Sequence, residues 1–191
     1  MNYKEEYSGL KFRIRNAERI WEDYDDGRSD EEKQKIASEQ IAEALHDYNV
    51  VFLYSDSGTM LPIYSKLCIF DRETDNLVLE SGKYGEPNEI LFKTIGQSGL
   101  DEIKAIIHSN QWLLKVTKDD TIGAMMTDGT IQEFSFSDNG STNYFTTDNF
   151  GFQSTFKDAK KDHELESILD KMLNILKKNG MPKNFFTDEE E

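Results

Sequence analysis

The stretch Gly96-Gln97-Ser98-Gly99-Leu100 comes close to the nucleophile elbow of a serine hydrolase. That elbow needs Gly-x-Ser-x-Gly, because its glycines permit the strained strand-to-helix bend that exposes the serine. Leu100 stands where the last glycine belongs, so Ser98 reads instead as a helix N-cap. Asp71, Glu73 and Asp75 have the early spacing of a calcium loop. Asn76 replaces the glycine at the bend and Gly82 replaces the closing bidentate glutamate, which leaves a solvated hairpin connection. His46, His108 and His163 fall on three different predicted helices, with no His-Glu-x-x-His spacing and no cysteine/histidine cluster. There is no Walker A loop and no dinucleotide fingerprint. Asn139-Gly140-Ser141 matches a glycosylation sequon but is more simply a hairpin turn. Carboxylates abound, yet acid/base work depends on their separation and desolvation, which spacing along the chain does not fix. No catalytic residue, metal ligand or cofactor is assigned.

The cluster that carries a functional expectation is aromatic and acidic. Tyr144, Phe150 and Phe152 lie in or beside a stretch rich in Asn, Gly, Ser and Thr, where large rings can anchor a partner. Acidic groups gather at Glu22 to Asp26, at Asp30 to Glu32 and at Thr187 to Glu191. Asp25 and Asp26, with the three aromatics, form the expected partner-binding set. The 37 acidic and 22 basic residues give a formal charge of −15, which repels nucleic-acid phosphates and favours a positively charged protein as partner.

The elements that must position these residues are read from periodicity. Asn139-Gly140 is the dipeptide best suited to a type I′ hairpin turn. It sets Phe134 opposite Phe145 and Ser135 opposite Tyr144. Phe134, Phe136 and Phe145 then share one face, and Glu133, Ser135 and Ser137 the other, a pattern of one buried and one wet face. Ser29 and Glu32 form a capping box at the start of a helix from Asp30 to Asp47. A second helix starts at Ser98, and a last one runs from Asp162 to Asn179 with Leu165, Ile168, Leu169, Met172, Leu173 and Leu176 as its apolar stripe. Strands are expected at Val50 to Tyr54, Tyr64 to Phe70, Asn76 to Ser81, Glu89 to Thr94 and Trp112 to Thr117. Ser55 to Gly58 is expected to be a turn. Leu10, Phe12 and Ile14 alternate as in a strand, but Ala17, Ile20 and Trp21 continue at helical spacing, so the segment reads equally as a short helix. The nearby Lys11, Arg13, Arg15 and Arg19 are expected to pair with Glu22 to Asp26.

Strands clustered between helices, without regular alternation, predict an α+β fold: a mainly antiparallel sheet with about three helices on one face and at the ends. Residues 1–186 are expected to form a single globular domain and 187–191 an acidic, disordered tail. The lone Cys68 lies in the apolar run Leu67 to Phe70, and the N-terminus has no apolar h-region. These features, with no apolar run of membrane-spanning length, lead to the expectation of a cytoplasmic protein with no membrane contact. The functional expectation is a non-catalytic acidic binding protein, of the inhibitor or immunity type, that sequesters a basic partner. The alternatives are a carboxylate-dependent hydrolase of unrecognised type and an accessory subunit of a larger assembly.

Overall fold

The computed structural model describes residues 2–21, 27–58, 63–83, 86–120, 130–148, 160–183 and 185–186. In chain order these form α1 (Tyr3–Glu18), α2 (Asp30–Asp47), β1 (Val50–Gly58), β2 (Ile63–Phe70), β3 (Leu77–Lys83), β4 (Glu89–Lys93), α3 (Gly96–Ser109), β5 (Thr130–Asp138), β6 (Ser141–Asp148) and α4 (Lys160–Lys178). The fold is α+β. Six strands make one sheet in the order β4-β3-β2-β1-β5-β6, and every pairing is antiparallel.

The β5–β6 hairpin has the expected register. Asn139 and Gly140 both adopt positive φ, 48° and 77°, as a type I′ turn requires. Phe134 faces Phe145 and Ser135 faces Tyr144. The Phe134 and Phe145 rings stack at 5.3 Å with an interplanar angle of 12°. The capping box at Ser29 is also present, with Glu32 N–H donating to Ser29 Oγ at 3.2 Å and Ser29 N–H donating to Glu32 Oε2 at 3.0 Å.

Both sheet faces are covered, and four α-helices are present among the described residues. On one face Phe52, Tyr54, Leu67, Ile69, Leu77, Leu79, Phe134, Phe136 and Phe145 pack beneath α3 and α4. On the other, Leu53, Cys68, Val78 and Tyr144 pack beneath α1 and α2. Strand residues thus alternate between two buried layers, so the face carrying Glu133 and Ser135 is not the wet face its polar residues implied.

Of the two readings of the Leu10 segment, helix is the one adopted, because Tyr7, Leu10, Ile14 and Ala17 recur at helical spacing as its buried stripe while Phe12 turns outward. Other local expectations are corrected. Lys11 and Arg13 pair with Glu80 and Asp47; Glu22 to Asp26, the expected partners, lie outside the described residues. Ser55 to Gly58 continue β1, held on both sides by β2 and β5. Ser98 sits inside the first turn of α3. The N-cap position there is Ile95, with no side-chain cap bond. Residues Gln111–Leu114 form a 3₁₀ turn rather than the start of a strand. The Asn143 side chain donates to the Leu113 and Val116 carbonyls at 2.9 and 2.8 Å, satisfying acceptors that a strand would have paired. The segments Thr121 to Met126 and Asn149 to Ala159, and the acidic tail, lie outside the described residues.

In α4, Leu169, Met172 and Leu176 are buried, whereas Leu173 is half-buried against the same cluster. Leu176→Ala is expected to cost about 2–5 kcal/mol in urea unfolding, and Leu173→Ala distinctly less. A larger loss at Leu173 would place the stripe of α4 elsewhere.

Candidate functional site

The register of the sheet lines up one polar residue on each of five neighbouring strands. Glu80 of β3 faces Lys66 of β2, Lys66 faces Ser55 of β1, Ser55 faces Glu133 of β5, and Glu133 faces Thr146 of β6. All lie on the face toward α1 and α2. The next row on that face is mainly apolar: Phe92, Val78, Cys68, Leu53, Ser135 and Tyr144, again one per strand. The helices pack their stripes on this apolar row, against Leu53, Cys68, Val78 and Tyr144. Between the helices and the polar row lies a cavity of about 740 Å³, with Tyr64, Lys66, Glu133 and Tyr144 in its wall. Phe12 of α1 and Ile131 of β5 also line it and are 66% and 40% exposed.

Glu80 is buried and Glu133 half-buried, and each carboxylate is closed by three donors. Lys66 Nζ lies 2.9 Å from Glu133 Oε2, the Tyr144 hydroxyl donates to Glu133 Oε1 at 2.8 Å, and Ser55 donates to Glu133 Oε2. The Tyr7 hydroxyl donates to Glu80 Oε2 at 2.6 Å, Asn88 Nδ2 donates to Oε1 at 2.7 Å, and Lys11 pairs with the same oxygen. Gly82 makes room for this arrangement, since a Cβ there would collide with the Asn88 carboxamide.

These contacts set the charges. Burial alone would push Glu133 up, but Lys66, Ser55 and Tyr144 together hold it below the usual carboxylate range. Glu80 behaves alike: burial opposes ionisation, and Lys11, Tyr7 and Asn88 overcome it. Burial would pull Lys66 down, but Glu133 and Tyr64 reverse the sign and its pKa is raised. Burial and a neighbouring carboxylate raise Tyr7 and Tyr144, which stay protonated as donors. Cys68 is buried under the same layer, and burial pushes its thiol up to about 12.

The arrangement is pre-organised, with all four oxygens of the two carboxylates already bonded. A general acid near neutrality needs a raised carboxyl pKa, and both of these are lowered. Ser55 lies between Lys66 and Glu133, yet activation of a serine needs a basic neighbour. Lys66 is held protonated and Glu133 is a weakened base. Among the described residues no group of three His, Cys, Asp or Glu side chains is placed to hold a metal ion. Asp71 of the calcium-like loop pairs instead with Lys104 at 2.7 Å, and His108 with Asp138 at 3.0 Å.

Of the five residues expected to bind a partner, Tyr144 is placed in this cavity wall, 9% exposed and bonded to Glu133. It is therefore a buried structural donor and not an exposed anchor. Asp25, Asp26, Phe150 and Phe152 lie outside the described residues. Sequence reasoning missed Glu80, Lys66, Ser55, Glu133 and Tyr7. The available signal was a charge set beside an apolar run in two neighbouring strands, Lys66 before Leu67-Cys68-Ile69-Phe70 and Glu80 after Leu77-Val78-Leu79.

The class defined by these features is an α+β protein with a polar-floored cavity between a helical pair and an antiparallel sheet. No family model and no curated protein matches the sequence. No described helix is long and apolar enough to cross a membrane.

Two outcomes follow from the ion pairs. Unfolded glutamate titrates near about 4.3, and both folded values lie lower. The two groups therefore stabilise the fold above that pH, and the contribution is lost as pH falls through the folded values. Lys66 has the opposite sign: its contribution is complete below an unfolded pKa of about 10.4 and is lost as pH rises from there through its raised folded value. Stability should thus be level from about pH 5 to 9 and fall in acid, with the acid limb shallower in Glu133→Gln. At neutral pH, Glu133→Gln should cost about 3–5 kcal/mol, because Lys66 loses its partner, and Lys66→Met added to it should restore part of that loss. Urea unfolding across pH measures both. An unchanged acid limb in Glu133→Gln would contradict the assigned ionisation.

Proposed function

We propose that this protein is a non-catalytic binding protein whose partner is a basic protein. The observation that carries the reading is the saturation of both carboxylates by three donors each, which leaves the cavity suited to recognition and poorly suited to proton transfer. The charge of −15 supports a cationic partner. On α2, beside the cavity, Glu32, Glu39 and Glu43 are exposed at spacings of seven and four, so they share one side of the helix. Asp25 and Asp26 precede that helix in sequence and extend the acidic run. The apolar anchor in this reading is the rim formed by Phe12 and Ile131, because Tyr144 is committed to Glu133. An inhibitor or immunity-type role is the form of sequestration this charge and size would suit.

Affinity capture at low ionic strength, followed by association kinetics on the captured protein, tests the proposal. Glu39→Lys/Glu43→Lys should lower the association rate about tenfold, with a matching loss of salt dependence. Phe12→Ala should act on dissociation. An association rate indifferent to salt would remove the electrostatic reading. Turnover of a substrate by the protein alone, abolished by Glu133→Gln in a variant that still folds, would replace it with the carboxylate-dependent hydrolase.

A further inference from the structure

Among the described residues β4 is an edge strand with a neighbour on one side only. It is five residues long and reads Glu89-Ile90-Leu91-Phe92-Lys93. Ile90 and Leu91 are each 38% exposed. Neither Glu89 nor Lys93 has an ion-pair partner among the described residues. An open edge with exposed apolar side chains is a pairing template, and its chemistry determines what can pair with it.

That chemistry is self-complementary. Leu91 faces Leu79 and therefore points to the α3/α4 side of the sheet, as do Glu89 and Lys93 two residues either way. Ile90 and Phe92 point to the α1 side, where the Phe92 ring meets Tyr7 edge-on at 6.2 Å. A second β4, antiparallel and centred on Leu91, sets Leu91 against its copy. Glu89 then falls directly opposite Lys93 of the copy, and Lys93 opposite Glu89, on the same face as the leucines. On the other face each Ile90 meets a Phe92. Every position gains a suitable cross-strand partner, and the two unpaired charges are neutralised twice over. A slipped or parallel pairing loses both ion pairs.

We propose that β4 is a homodimer interface, in which two copies join edge to edge about a two-fold axis and their sheets run on as one. The partner is a second copy of this chain because an outside strand would need the same reversed charge order, which the chain already carries. The interface is isologous, so it closes at two copies. Charges at both ends guard the edge against strands of other sequence, which gives selectivity as well as attraction.

Sedimentation equilibrium on the full chain tests the proposal. The wild type should dimerise. Glu89→Lys alone and Lys93→Glu alone each create two like-charge pairs across the axis, and each should raise the dissociation constant roughly tenfold or more. Mixing the two single variants should restore dimers, since one supplies two lysines and the other two glutamates. The double swap Glu89→Lys/Lys93→Glu should dimerise like the wild type. These positions are at the sheet edge, and circular dichroism will show that each variant retains its fold. A wild type that stays monomeric at its highest soluble concentration would overturn the proposal. So would a dimer that both single variants leave intact, a mixture that fails to reassociate, or open-ended growth with concentration.

Discussion

The Lys66–Glu133 pair is the constraint to which the rest of the structure answers. A carboxylate enclosed between a sheet and two helices persists as an ion only when a cation and further donors replace its water. Lys66, Ser55 and Tyr144 supply that replacement from three different strands. The three reach Glu133 only in one register of β2, β1, β5 and β6. A slip of one residue between β1 and β5 would turn Glu133 toward the phenylalanine layer and bring Phe134 under α1 and α2. The pair therefore acts as a register pin. Hydrophobic residues of similar volume would hold the sheet at least as tightly, and would specify its alignment less sharply.

The helical layer follows from the same row. α1 brings two donors to Glu80, Tyr7 and Lys11, one turn apart on the same side of the helix. α1 in turn rests on α2 through Leu10, Ile14 and Ala17 against Ile41, Ala44 and Leu45. Their approach is close: a Cβ on Gly9 would lie 2.5 Å from the Tyr48 hydroxyl. Because both helices seat their apolar stripes on the Leu53–Cys68–Val78 row, they cannot also sit flush on the polar row beside it. The cavity is the space left between a row that attracts apolar side chains and one that does not.

How much of this was legible in the sequence depends on the range of the interaction that decides each element. The Asn139-Gly140 turn and the Ser29 capping box are decided within four residues, and both were readable. The α+β class was readable from apolar periodicity. The N-terminal helix was ambiguous because Leu10, Phe12 and Ile14 fit period two as well as Tyr7, Leu10, Ile14 and Ala17 fit the helical period. Only the tertiary partner of each side chain separates the two, and Phe12 proves to have none in the core. Ser55 was read as part of a turn because serine, aspartate and glycine cluster there. The strand extends through them because two neighbours and a polar row receive those side chains. The site itself was not legible. Its members come from β1, β2, β3, β5, β6 and α1, and nothing local marks Glu80 or Glu133 among 37 acidic residues.

The polar row also links the cavity to the sheet edge. Lys11 lines the cavity and at the same time holds Glu80. Glu80 is bonded to Asn88, the residue that leads into β4, and faces Ile90 within that strand. Tyr7 joins Glu80 through its hydroxyl and Phe92 of β4 through its ring. α1 thus touches β4 directly through the Tyr7 and Phe92 rings, and the Tyr7 hydroxyl reaches it indirectly by way of Glu80 and Asn88. An occupant of the cavity that drew Lys11 away from Glu80 would leave a buried carboxylate with two neutral donors, a costly state that the neighbouring groups would have to relieve. Asn88 and Tyr7 are the groups at hand, and both touch or precede the edge strand. The cavity-lining Lys11 and Tyr7 and the edge strand β4 therefore meet at one electrostatic centre, Glu80.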